Sequence, residues 1–265
     1  MSVISAEPTN GLQFVDLASF SPASLSEVVE HANLAQRVDR KYLADLETVR
    51  RLCDGLVDTH KILQIGDRHT TTYSTTYFDT PDLMSCRAHV QGRRRRWKVR
   101  SRLYVEDNLC RVEVKTKSGR GATIKDTFPS HVSRYGKLCD DELDFVADTL
   151  FTAHPEVDVK TLAPRAEITY LRACLVDLAG GTRVTIDGKL TSVLREGRAW
   201  VDDGYAIVET KGGVLPAEAD LLLRRLGARP RSFSKYVATT SLVHPKIADN
   251  DVRALNGKSL HSRLS

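Results

Sequence analysis

Hydrophobic and polar positions change period several times along the 265-residue chain. Residues 1–23 are polar and carry Pro8, Gly11 and Pro22, the composition of a flexible lead-in. Ser24 and Glu27 have capping-box spacing, and with Leu25, Val28 and Val29 they predict a helix. Arg37 to Leu43 reads as a strand, and Asp45 caps a second helix, LETVRRLCDGL, stopped by Gly55. From residue 59, HKILQI and TTTYSTTYFDT are β-branched and aromatic, which signals strands. RRRRWKVRSRLYV, NLCRVEVKTK and GATIKDTF follow, with tight turns at Asp107-Asn108 and Ser118-Gly119, and predict an antiparallel meander. Residues 137–151 return to helical period. A second β block comprises EITYLRACLVDL, TRVTIDGKL and YAIVETKG, its first two strands joined at Ala179-Gly180-Gly181. PAEADLLLRRLG is a helix with Pro216 near its start and Gly227 past its end, and SFSKYVATTSLVH is a last one. Residues 246–265 are polar and expected to fray. Two β blocks, each followed by a helix, predict an α+β fold whose antiparallel sheet closes on itself.

Composition narrows the function classes. Charged residues make up 28% and the hydrophobic set 41%, which excludes a largely disordered chain. Apolar runs are only a few residues long, so no membrane helix is expected, and the N-terminus lacks a signal-peptide pattern. Cys53, Cys86, Cys110, Cys139 and Cys174 are scattered, without a CxxC pair, and fit a reducing cytoplasm. Net charge is +5, and its placement matters more than its size.

Side chains two apart on a strand share a face. Arg37, Asp39 and Lys41 do so, as do Arg96, Lys98, Arg100 and Arg102; Arg111, Glu113, Lys115 and Lys117; Arg183, Thr185 and Asp187; and Glu209 and Lys211. Opposite faces carry residues such as Val99, Val112, Val114, Val184, Ile186 and Val208. Any one such strand reads as amphipathic with its charged side in water. Five together, dominated by Arg and Lys with an acid two residues before a Lys, point to a cationic lumen. Its guest would be a polyanion rich in phosphoryl oxygens, with acids holding a bridging divalent cation.

The segments RVDRKYL (37–43), YSTTYFDTPDL (73–83), KVRSRLY (98–104), VEVKTK (112–117), TYLRACL (169–175), RVTID (183–187), AIVETKGG (206–213) and SFSKY (232–236) carry a resemblance. In this order they resemble the VTC domain, the polyphosphate polymerase domain within the triphosphate tunnel metalloenzyme (CYTH-like) superfamily. The resemblance implies a closed eight-stranded antiparallel β tunnel with flanking helices, formed by residues 24–245 as a single domain. It implies ATP and inorganic polyphosphate as partners and Mn²⁺ or Mg²⁺ as cofactor. By motif, the catalytic residues would be Lys41, Arg100, Arg102, Lys115, Lys125, Arg172, Arg183 and Lys235. Lys98, Lys117, Lys211 and Ser234 would bind substrate, and Glu209, Glu113 and Asp187 would hold the metal. The wider superfamily begins E-x-E-x-K; here the stretch is Arg37-Val38-Asp39-Arg40-Lys41, which argues against the thiamine-triphosphatase and class IV adenylyl cyclase branches. Neither a phosphate-sensing SPX domain nor membrane helices are read, so a stand-alone soluble catalytic domain is expected.

The resulting expectation is transfer of the γ-phosphoryl of ATP onto polyphosphate. The alternatives are a metal-dependent tripolyphosphatase or nucleoside triphosphatase, with Glu113 orienting water, and a non-catalytic polyphosphate-binding module. The run Arg93 to Arg96 is a solvated loop or an electropositive mouth. Nucleic acid is not expected, since only Trp97 and Tyr104 lie near that run for stacking. Asp79 and Asp82 read as metal ligands or, by preference, as turn and cap residues around Pro81, and Ser234 as a phosphate contact or a helix cap.

Overall fold

The alternating segments fold as strands and the 3.6-period segments as helices in the computed structural model, which describes residues 12–31, 38–118, 123–232, 234–248, 250 and 252–265. Arg37 and Gly119 lie outside the described residues. In chain order the strands are β1 (Pro22–Ala23), β2 (Val38–Asp45), β3 (Lys61–Leu63), β4 (Thr70–Asp79), β5 (Arg96–Tyr104), β6 (Leu109–Lys117), β7 (Thr123–Ser130), β8 (Ala163–Asp177), β9 (Thr182–Leu194), β10 (Gly197–Val201), β11 (Tyr205–Gly212) and β12 (Leu260–Leu264). The α-helices are α1 (Leu25–His31), α2 (Leu46–Asp54), α3 (Met84–Val90), α4 (Asp140–Phe151), α5 (Glu218–Arg225) and α6 (Lys235–Val243).

The chain divides into two compact units, each with its own core. The first comprises residues up to Thr71, Leu171–Gly188 and Gly204–Arg231. Here β2 pairs antiparallel with β11, and β11 with the first half of β9. The end of β8 pairs with β3, which runs parallel to β1. Strand alternation sends Tyr42, Ala44, Val184, Ile186, Ala206 and Val208 into one core with Val49 and Leu52 of α2 and Leu223 of α5. Asp45 starts α2 by accepting the Thr48 N–H at 2.7 Å. Asp220 of α5, fully buried, accepts from the Tyr42 hydroxyl at 2.7 Å, Thr210 Oγ1 at 2.6 Å and the Ala217 N–H at 2.9 Å, and so fastens α5 to β2 and β11. Leu12, Val15, Leu17 and Phe20, within the segment expected to be a flexible lead-in, are buried in this same core.

The second unit comprises Thr72–Tyr170, Lys189–Asp203 and Ser232–Ser265. β5, β6 and β7 form the expected antiparallel meander, and β4 pairs antiparallel with β5. The Asp107-Asn108 turn has Asn108 at a φ of 47°, a left-handed conformation that Asn tolerates. Phe78, Trp97, Val99, Val112 and Val114 face Val146 and Leu150 of α4. That helix starts where Glu142 Oε2 accepts the Cys139 N–H at 3.0 Å. β10 lies between the second half of β9 and β12.

Two further expectations need correction. The sheet has twelve strands instead of eight, β1 and β3 pair parallel, and among the described residues the hydrogen-bonded order does not close on itself. β1 and β3 are too short to show alternation. Closure needs one more pairing between distant edges, which period-2 alternation does not encode. Nor is 246–265 a frayed tail throughout: Leu260–Leu264 pairs with Gly197–Val201, and Leu260 is fully buried. No helix among the described residues is long and apolar enough to cross a membrane.

Truncating Leu260 to Ala should therefore destabilise the protein by about 2–5 kcal/mol, read as a lower denaturation midpoint. A frayed segment would give no change.

Candidate functional site

In the second unit, opposite registers set cations in rows across the meander. Lys98, Lys115 and Lys125 stand side by side on β5, β6 and β7, and the next row places Arg100 against Glu113. Glu113 is 2% exposed. Its Oε2 accepts from Arg100 Nε at 2.6 Å and Nη2 at 2.5 Å, and lies 3.7 Å from Arg102 Nη1; its Oε1 accepts from Lys125 Nζ at 2.8 Å. Burial alone would raise the Glu113 pKa, but Arg100, Arg102 and Lys125 outweigh it and hold the carboxyl well below the usual range. Burial likewise opposes the charge on Arg100, and Glu113 more than restores it.

Aromatic rings complete this face. The Tyr77 hydroxyl accepts from Arg100 Nη1 at 3.1 Å. Arg102 lies over the Tyr73 ring at 5.2 Å, Tyr73 stacks on Tyr170 at 5.2 Å, and Lys235 Nζ lies 4.7 Å over Tyr170. Lys98 Nζ donates to Ser234 Oγ at 2.7 Å. Ser234 occupies the N-cap position of α6, yet its side chain makes no capping bond.

In the first unit, β2, β11 and β9 build a second basic face. Asp39, Lys211 and Arg183 form one row, and Lys41, Glu209 and Thr185 the next. Lys41 Nζ lies 3.2 Å from Glu209 Oε1. Arg172 grips Asp187 with two bonds, Nε to Oδ1 at 2.5 Å and Nη2 to Oδ2 at 2.7 Å. Arg183 Nε and Thr185 Oγ1 are buried with no hydrogen-bond partner. Burial lowers the Lys211 pKa to about 7; Glu209 pulls it up, and Arg172 and Arg183 push it further down.

Of the residues expected at the site, the structure thus groups Lys98, Arg100, Arg102, Glu113, Lys115, Lys125, Ser234 and Lys235 in one unit. It groups Lys41, Arg172, Arg183, Asp187, Glu209 and Lys211 in the other. Lys117 stands in the row of Arg96 and Thr123, at the end of β6. Tyr73 and Tyr77 were not singled out as site residues. The period-2 reading applied to YSTTYFD places them on one face, and their register partners are Tyr104 and Arg100 for the two tyrosines.

The three acids expected to hold a metal are each engaged by cations, and no group of three or more His, Cys, Asp or Glu among the described residues is arranged as a metal site. Carboxylate oxygens suit a hard divalent ion in kind, but they form no protein cage.

The family model described as the VTC domain matches residues 36–244. No curated protein matches the sequence. Among solved structures the chain is similar to the Hippeastrum protein HpAC1, described as having a dominant triphosphatase activity, at 14% identity and TM-score 0.47, covering 77% of this chain and 94% of that one. It is also similar to a candidate adenylate cyclase from Bacillus halodurans, at 15% identity and TM-score 0.43, covering 72% of this chain and 87% of that one. The PH1819 protein from Pyrococcus horikoshii matches at 14% identity and TM-score 0.41, covering 76% of this chain and 94% of that one.

Lys211 generates a prediction about pH. An anion bound beside it favours the ammonium form, so binding above pH 7 takes up a proton. Affinity for inorganic tripolyphosphate should then fall as pH rises from about 7 to 8.5, by up to about tenfold per unit. Lys211→Met should remove that component, leaving only the titration of the ligand itself. Equal pH slopes in the two proteins would refute the assignment.

Proposed function

We propose that this chain, which belongs to the VTC domain family, is a polyphosphate polymerase-like phosphotransferase. It would move the γ-phosphoryl of ATP onto the end of inorganic polyphosphate, with residues 24–245 acting as one functional domain. A terminal oxygen of the polymer forms the new P–O bond to the γ-phosphorus. The bond from that phosphorus to the β–γ bridging oxygen breaks, and ADP leaves.

The observation that carries this reading is the state of Glu113. A buried carboxylate held by Arg100, Arg102 and Lys125 is a poor base and a poor orienter of water. That disfavours the hydrolase reading, in which Glu113 would activate water. A phosphate acceptor is already anionic and needs no base. What remains is positioning and charge stabilisation, the demands of phosphoryl transfer. In the second unit Arg100, Arg102, Lys98, Lys115 and Lys125 would hold phosphoryl oxygens; in the first unit Lys41, Arg172, Arg183 and Lys211 are the candidates for the same task. Lys235, set over Tyr170, would meet the transferring group. Mn²⁺ or Mg²⁺, when bound, would neutralise phosphoryl charge, with Glu209 its proposed protein contact and substrate oxygens its other ligands.

The test is incubation of the purified protein with ATP and Mn²⁺ or Mg²⁺, resolving polyphosphate, ADP and free phosphate. Polymers longer than the input, with ADP in step, are expected. Free phosphate alone would replace this reading with a triphosphatase; retained polyanion binding without turnover would replace it with a binding module. Lys235→Ala should reduce synthesis at least tenfold, because a charge-assisted contact contributes about 1.5–3 kcal/mol. Glu209→Gln should abolish metal-dependent turnover while tripolyphosphate binding persists, and unchanged turnover at limiting Mn²⁺ would exclude Glu209 as the metal contact.

A further inference from the structure

Asp79 ends β4 and is fully buried. Its carboxylate collects four short hydrogen bonds. Oδ1 accepts the N–H groups of Thr80 at 2.8 Å and Ser85 at 2.9 Å. Oδ2 accepts the Cys86 N–H at 2.9 Å and the Tyr236 hydroxyl at 2.8 Å. The two bonds from Ser85 and Cys86 satisfy the start of α3, where Leu83 at the N-cap position offers no side-chain acceptor. The fourth bond leaves that local task and reaches the first turn of α6.

Tyr236 follows Lys235 directly, and its ring is held from a second side. It stacks on Tyr77 with centroids 4.9 Å apart and planes 8° apart, and Tyr77 is the residue that accepts from Arg100. A hydrogen bond fixes how far the helix rotates, and a stacked ring fixes how deep it sits. Together they leave the first turn of α6 one orientation, the one that sets Lys235 over Tyr170 and Ser234 against Lys98. A purely packing role at position 236 would be met by an apolar side chain. A buried hydroxyl aimed at a buried carboxylate adds direction, and it is stable only while the pair stays together.

We propose that Asp79 and Tyr236 form a positioning pair that orients Lys235 toward the phosphate-bearing substrate. This inference rests on the reading of Lys235 as a phosphate contact given above. Asp79 and Tyr236 touch no reacting atom in this scheme; they act through the lysine. The YFDTPDL segment, whose Asp79 was read foremost as a turn or cap residue, therefore serves two helices at once.

Tyr236→Phe tests the pair, because it keeps the ring, its volume and the stack on Tyr77 and removes only the hydroxyl. Wild type, Tyr236→Phe, Lys235→Ala and the double variant should be compared in thermal unfolding, tripolyphosphate affinity, and kcat and KM for ATP. Tyr236→Phe is expected to fold, to lower kcat at least about fivefold and to change the KM for ATP by less than about twofold. Added to Lys235→Ala, it should cost less than about a further twofold, because the group it orients is already gone. Losses that multiply would overturn the proposal, as would an unimpaired Tyr236→Phe beside an impaired Lys235→Ala. If the wild type turns over no phosphate compound, the polymerase reading fails and the pair is judged on tripolyphosphate affinity alone. Coupled losses there support it; independent losses, or a Lys235→Ala variant of unchanged affinity, overturn it. Should Tyr236→Phe not fold, Asp79→Asn carries the same comparison.

Discussion

Cations set side by side on a sheet repel one another, and the more so where burial removes water. Everything distinctive about the two basic faces answers to that constraint. In the second unit one carboxylate, Glu113, is shared among Arg100, Arg102 and Lys125. Aromatic rings take a further part: Tyr73 and Tyr170 lie between Arg102 and Lys235, each presenting a π-face to its cation. In the first unit Asp187 neutralises Arg172 and Glu209 meets Lys41. Lys211 yields in another way, through a pKa brought down to about 7 by burial, with Arg172 and Arg183 adding to it. Removing a single acid would leave partly buried cations facing one another, so these acids have a structural duty whatever chemistry they join.

The cationic rows hold their places because the other side of each strand is core. Val99, Val112 and Val114 are fully buried, as are Ile186 and Val208. A one-residue slip of β5 would drive Arg100 into the apolar layer and lift Val99 out of it. Charge placement is thus enforced by hydrophobic burial on the opposite face. Asp220 adds a polar lock in the first unit, joining Tyr42 of β2 and Thr210 of β11, neighbours in sequence of Lys41, Glu209 and Lys211.

The same coupling explains what could be read from sequence. Alternation over eight or nine residues identified β2, β5, β6 and β11 and assigned Lys41, Arg100, Glu113 and Lys211 to the faces they occupy. Local capping identified α1 and α2, through Ser24 with Glu27 and through Asp45. What stayed hidden depends on distant partners. β12 is a strand because Gly197–Val201 receives it, and nothing within its own five residues demands this. The seven-residue α3 has no side-chain cap of its own; its cap is Asp79, supplied from before Pro81. The Asp79–Tyr236 bond spans 157 residues of chain, a separation at which local pattern carries no information. Closure into a ring was inferred from the two β blocks as well as from resemblance, and the ladder order among the described residues contains no pairing that completes it.

A balance of donors and acceptors then limits what either face can receive. Glu113 already accepts from Arg100 and Lys125, and Asp187 from two nitrogens of Arg172. On the first unit's face two donors remain over, since Arg183 Nε and Thr185 Oγ1 are buried without partners. An unmet buried donor costs about 1–3 kcal/mol, a deficit that only an incoming acceptor removes. A peptide or a nucleobase edge brings donors of its own and would add to the surplus of N–H groups. A fully ionised phosphate oxygen brings acceptor capacity and negative charge together, with no proton to place. On the first unit's face that surplus of donors suits an anion that only accepts hydrogen bonds, a class to which phosphoryl groups belong.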